Sequence, residues 1–99
     1  MESRIRRAAL EARYLTLIRD ELPRLARERG WHVRFDHCFG RIVLDNVFGR
    51  CWYEALDRRR IAYRQLDDEQ LARAIAIAER IPYELRDLDA RSLAWRRAP

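Results

Sequence analysis

Three glycines and three prolines in 99 residues leave this chain few places to turn. These two residue types punctuate a backbone, so their scarcity favours long helices with short connections over a many-turned sheet protein. Apolar residues make up 48% of the chain and charged residues 37%, a balance that builds a core rather than a disordered coil. The length suits one domain, residues 1–99, which hides about two-thirds of its unfolded surface.

Apolar spacing locates the helices. Ile5, Ala8, Ala12, Leu15, Ile18, Leu22 and Leu25 recur every three or four residues and predict a helix over 4–29. Pro23 should kink or break it, because the residue before a proline is pushed away from helical geometry. Gly30 is placed to end it. Trp31, Val33 and Phe35 alternate with polar residues, a strand-like period whose one candidate partner is 61–64. Residues 36–48 are the most apolar stretch and read as a buried central helix, with Asp36 suited to the N-cap and Gly49 to the end; a β reading of 41–44 stays open. Gly40 inside this helix costs about 1 kcal/mol relative to Ala, which suggests a close backbone approach there. Residues 51–56 read as a short helix. Asp67 and Gln70 have capping-box-like spacing ahead of Leu71, Ala74, Ile75, Ala78 and Ile81; Pro82 should end that helix, and a last one covers about 84–96. The expected fold is mostly α: a single compact bundle of four or five helices, with room for one short two-stranded β element. Its predicted core is Phe39, Ile42, Val43, Leu71, Ile75, Leu88 and Trp95.

All 21 basic residues are arginines, and the formal charge is +5. A GC-rich coding genome is the simpler cause of that bias, although the guanidinium fork also suits phosphates and carboxylates. The excess is uneven: residues 1–34 carry +4, 35–66 carry +2 and 67–99 carry −1. An anion-facing surface therefore belongs to the first two-thirds, and nucleic acid or an acidic protein surface is the partner such charge favours. The start of the chain lacks the apolar run of a signal peptide and no stretch of about 18 apolar residues occurs, so the expectation is a cytoplasmic protein with no membrane contact. Two cysteines, Cys38 and Cys51, do not make a disulfide scaffold.

Two groups of residues are candidates for function. The first joins charge to aromatic faces: Arg4, Arg6, Arg7, Arg58, Arg59, Arg60 and Arg64, with Trp52 and Tyr53, also near Tyr63. That pairing suits phosphate contact plus base stacking. The second is a polar cluster on the central helix, His37, Arg41, Asp45 and Asn46. A histidine near a carboxylate suits a base or a polar-ligand site. The simpler reading is an Arg41–Asp45 pair one turn apart, with Asn46, on the apolar stripe, obliged to find partners if buried. His32, His37, Cys38 and Cys51 are ligand types for zinc, but no C-x2-C or H-x3-H clip joins them, so no metal is expected. Phosphate-cradling glycine loops are absent, and no cofactor is expected.

The run Phe35-Asp36-His37-Cys38-Phe39-Gly40-Arg41-Ile42-Val43-Leu44-Asp45-Asn46, followed by Trp52-Tyr53 and by Ala62-Tyr63-Arg64-Gln65-Leu66, resembles a family of short uncharacterised bacterial proteins. The resemblance spans roughly residues 20–95 and implies a bacterial origin. Some members carry an acetyltransferase label. The acetyl-CoA site of that superfamily is similar to R/Q-x-x-G-x-G/A, and no such run occurs here. Taken together, the sequence points to a small non-enzymatic binding module acting through its arginines on nucleic acid or a protein partner. The alternatives are a small enzyme or ligand-binding protein using the polar cluster, and a phage- or defence-type inhibitor or an assembly protein that forms a homodimer.

Overall fold

Local backbone chemistry resolves the chain into three helical rods in a computed structural model that describes residues 2–97. The first rod is continuous: α1 (Glu2–Thr16) passes through a π turn (Leu17–Glu21) into α2 (Leu22–Arg29). Pro23 accounts for the turn. It has no N–H, and its ring crowds the carbonyl four residues back. The backbone widens by one residue instead of breaking, and Leu22 N–H donates to Leu17 O, five residues back. Pro23 itself sits in the first turn of α2, where the missing donor costs nothing.

Two of the three glycines end helices. Gly30 and Gly49 have φ of 66° and 67°, the left-handed region that L side chains rarely adopt. Trp31 N–H donates back to Ala26 O at 3.0 Å, closing α2. Gly49 and Arg50 both donate to Asp45 O, at 2.8 and 3.2 Å, closing the second rod, α3 (Asp36–Phe48). The N-cap of α3 is Phe35, with extended φ and ψ; Asp36 is one residue inside, where it accepts from His37 N–H.

No strand forms among the described residues, so the expected two-stranded element is corrected. The alternation in 31–35 has another cause. Val33 is buried and Trp31 packs edge-on against Phe39, while Phe35 points outward; the segment is a short linker with two apolar anchors. Its supposed partner, around residue 62, is a 3-10 turn (Ala62–Gln65). The short helix expected at 51–56 is likewise one 3-10 turn, Trp52–Glu54. Gln65 closes the loop between them, accepting from Asp57 N–H and donating to Asp57 O.

The third rod, α4 (Asp68–Arg97), opens on the capping box foreseen from the sequence. Gln70 N–H donates to Asp67 Oδ1 at 2.8 Å, and Asp67 N–H donates to Gln70 Oε1 at 2.9 Å. The expected stop at Pro82 is a kink instead, with Glu84 at φ −132° and ψ 20°. Arg80 spans the kink with a two-pronged bond to Glu84. The bend lets one rod serve two neighbours. Its first half meets α1 through Arg7–Asp68 and Arg13–Glu79, and its second half meets α3. With both prolines bridged, the count is three rods rather than four or five separate helices.

Phe39, Ile42, Val43, Leu71 and Leu88 are fully enclosed, joined by Leu22, Ala26, Ala74, Ala78 and Ile81. Ile75 is only partly buried against this core, and Trp95, also partly buried, lies outside it. The positions that face α3 from this end of α4 are taken by Asp89 and Ser92 instead. No helix among the described residues is long and apolar enough to cross a membrane.

The closing glycines make a clear prediction. Gly49→Ala meets no atom within 4 Å, so its cost is backbone strain alone. It is expected to lower stability by about 1 kcal/mol, read as a fall in Tm of about 4–8 °C by circular dichroism.

Candidate binding site

Where α3 crosses the second half of α4, each helix offers a polar stripe in place of apolar residues. Arg41 and Asp45 are one turn apart on α3, and Asp89, Ser92 and Arg96 follow one another up α4. The stripes interlock. Arg96 donates through Nε to Asp45 Oδ2 at 2.8 Å and through Nη2 to Oδ1 at 3.3 Å. Arg41 donates to Asp89 Oδ1 and to Ser92 Oγ, both at 2.7 Å. The Ser92 hydroxyl passes the chain on, donating to Asp45 Oδ2 at 2.6 Å. His32 Nε2 lies 2.7 Å from Asp89 Oδ2, and Trp52 N–H donates to Asp45 Oδ1 at 2.9 Å. Asp45 is wholly enclosed.

These contacts set the charges. Burial works against an ionised Asp89, but hydrogen bonds from His32 and Arg41 outweigh it and hold the carboxyl below its ordinary range. Burial likewise opposes the Arg96 cation, and Asp45 more than compensates, raising the guanidinium above its ordinary value. Both carboxylates meet arginines, so the network joins α3 to α4 by two ion pairs.

The outer side of Arg41 and Arg96 faces a hollow of about 370 Å³ between α1, α3 and the 52–63 segment. Its walls are mostly apolar, formed by Tyr14, Leu15, Ile18, Leu44, Trp52 and Tyr63. Burial pushes the Tyr14 phenol well above its ordinary value, so the hydroxyl stays neutral. Arg19, Asp36, His37 and Tyr53 also line the hollow. Two guanidiniums approach the Tyr53 ring, Arg58 at 3.9 Å and Arg96 at 5.0 Å from its centroid, and Trp52 meets it edge-on at 4.6 Å.

The polar cluster on α3 thus divides. Arg41 and Asp45 do not pair with each other, because both face α4, where better-placed partners stand. Asn46 donates to Ile42 O and across to Leu88 O, meeting the demand its place on the apolar stripe creates. His37 is 78% exposed and stacks on Phe35 at 5.7 Å, joining the others only as a rim residue of the hollow. The arginine set divides too. Arg7 is structural, donating to Glu11, Asp68, Leu66 O and Tyr63 O, so it ties α1 to the loop. Arg59 is bound to Asp57 in its own turn. Arg4, Arg6, Arg58, Arg60 and Arg64 are exposed and form no ion pair among the described residues, with Arg64 near the Tyr63 ring. The thiols at Cys38 and Cys51 are free, and among the described residues no three His, Cys, Asp or Glu side chains gather as a metal site.

Sequence reasoning missed Asp89 and Arg96, and weighed His32 only as a metal-ligand type, not as a partner of Asp89. A signal existed for the first two, since an acid, a hydroxyl and a base at 89, 92 and 96 share one helical stripe. Comparison with protein-family models, curated proteins and solved structures gives no match.

Two outcomes follow for the network. Asp45→Ala strands Arg96 and the Ser92 hydroxyl, and is expected to cost about 3–5 kcal/mol in urea unfolding. Asp89 has a lower pKa folded than unfolded, so its stabilising effect is present above the unfolded value and lost as pH falls through the folded one. Stability should therefore drop below about pH 4, and Asp89→Asn should flatten that drop in denaturation curves taken across the acid range.

Proposed function

We propose that this protein is a non-enzymatic binding module and that single-stranded nucleic acid is its partner. The observation that carries the reading is the exposed Arg58 guanidinium over the Tyr53 ring, with Arg96 and Trp52 also against that ring. The exposed Arg58 guanidinium over Tyr53 offers a flat cation on which a base can stack, and arginine donors for the adjoining phosphate. Arg60 and Arg64, exposed on the same loop without acid partners among the described residues, extend the basic track. An acidic protein surface would use the arginines equally well but has no use for a guanidinium laid on an aromatic ring, which is why nucleic acid is preferred. A cytosolic setting fits the two free thiols.

The test is a fluorescence-anisotropy titration with mixed-sequence RNA and DNA oligonucleotides. Three phosphate contacts predict that affinity falls about 20-fold between about 50 and about 200 mM salt. The triple variant Arg58→Ala, Arg60→Ala, Arg64→Ala should remove most of that dependence. Affinity that does not change with salt sinks the reading.

A further inference from the structure

Gly40 is the one glycine the backbone does not require. It is helical, it lies in the middle of α3, and only Gly30 and Gly49 have positive φ. Packing does not require it either. A Cβ built there meets nothing within 4 Å, so no neighbouring backbone or side chain uses the space. The close backbone approach expected from the sequence is absent. What Gly40 borders is the hollow beside α3. A helix-interior glycine weakens the helix, and here the fold gains no contact in return.

We propose that this hollow is a binding site for a small aromatic anion, its ring lying against the bare backbone at Gly40 and its charged group at the arginine rim. Size, wall and charge converge on that class. About 370 Å³ falls at the lower end of small-molecule sites, and the walls are mostly apolar and aromatic. Arg41 and Arg96 face the hollow with their forks already held from behind by Asp89, Ser92 and Asp45. The network uses two of Arg41's five N–H donors, leaving three for a ligand. Those two arginines are neutralised by Asp89 and Asp45, and at the rim Arg19 is balanced by Asp36; among the described residues the cation left without a matching acid is Arg58, laid over Tyr53. A neutral ring would fill the walls and leave Arg58 and the uncommitted Arg41 N–H groups unanswered; a bare inorganic anion would leave the apolar walls wet. The site shares Tyr53 with the nucleic-acid face yet does not depend on nucleic acid binding there.

The probe is 8-anilinonaphthalene-1-sulfonate, an aryl sulfonate, titrated by fluorescence into the intact chain. Saturable binding at one site is expected, at least tenfold tighter than for uncharged N-phenyl-1-naphthylamine. Gly40→Phe places a ring in the hollow and should weaken the sulfonate at least tenfold while RNA affinity stays within twofold, so the two readings fail separately. Gly40→Ala, which meets no neighbour, should fold and melt about 4–8 °C higher than the parent. Amide shift mapping of the parent needs no variant: the largest changes are expected at Gly40, Arg41 and Tyr53. Equal affinity for the uncharged probe, binding indifferent to Gly40→Phe, a Tm that falls in Gly40→Ala, or shifts centred away from α3 would each overturn the proposal.

Discussion

The fold turns on two ion pairs placed where a helical bundle ordinarily packs apolar side chains. Asp45 with Arg96 and Asp89 with Arg41 lie between α3 and α4, bridged by the Ser92 hydroxyl. Taking such charges out of water is costly, and a well-packed apolar interface often does as well or better in stability. What the pairs supply is register. Slipping α3 along α4 by one turn moves a side chain about 5.4 Å, which separates both pairs at once. An apolar interface would forgive that slip; this one does not. Register in turn orients the rest, since Asp45 also holds the Trp52 amide and so draws the 52–63 segment over α3.

Both internal prolines show how far tertiary packing bends local preference. Each removes a donor and crowds the preceding turn; Pro23 was expected to kink its helix or open a second short one, and Pro82 to end its helix. Pro23 does open α2 while the rod stays continuous, and Pro82 kinks α4 instead of ending it. At Pro23 the rod absorbs the defect by widening to a π turn, in which Leu17 and Ile18 are buried. At Pro82 the axis bends, with Ile81 enclosed just before the bend and Leu88 just after it. Apolar residues on both sides of each defect keep the flanking helices pressed to one core. The burial gained outweighs the lost backbone bond, roughly 1.5–3 kcal/mol per enclosed side chain against a net hydrogen bond of about 1.

Arginine content says little until positions are known. Arg7, Arg41 and Arg96 are fastened into the structure by carbonyls and carboxylates, and Arg59 serves its own turn. Their guanidiniums act as rigid multidentate linkers, a use that lysine would not satisfy. Arg58 differs: its plane lies over an aromatic ring with no acid beside it among the described residues, which leaves its charge outward-facing.

Much of the architecture was legible because it is written in short-range chemistry. Apolar spacing placed the helices, Asp67 and Gln70 marked the start of α4, Gly30 and Gly49 marked helix ends, and Asn46 announced its need for partners. The candidate site was legible only in part. Arg41 and Asp45 were recognised as a pair, but their true partners lie 48 and 51 residues away, at a distance where helical spacing carries no information. The alternation of Trp31, Val33 and Phe35 misled for the same reason, since a pattern tells which residues seek the core but not whether a second strand arrives to meet them. Gly40 drew notice as an oddity, and only the assembled helices revealed that nothing stands opposite it. The sequence by itself determined where helices begin, end and hide their apolar faces, because those choices are made within a few residues. The tertiary structure alone decided which charges meet, that both prolines are bridged, and that a space is left open over Gly40, because each depends on segments brought together only by burial of the common core.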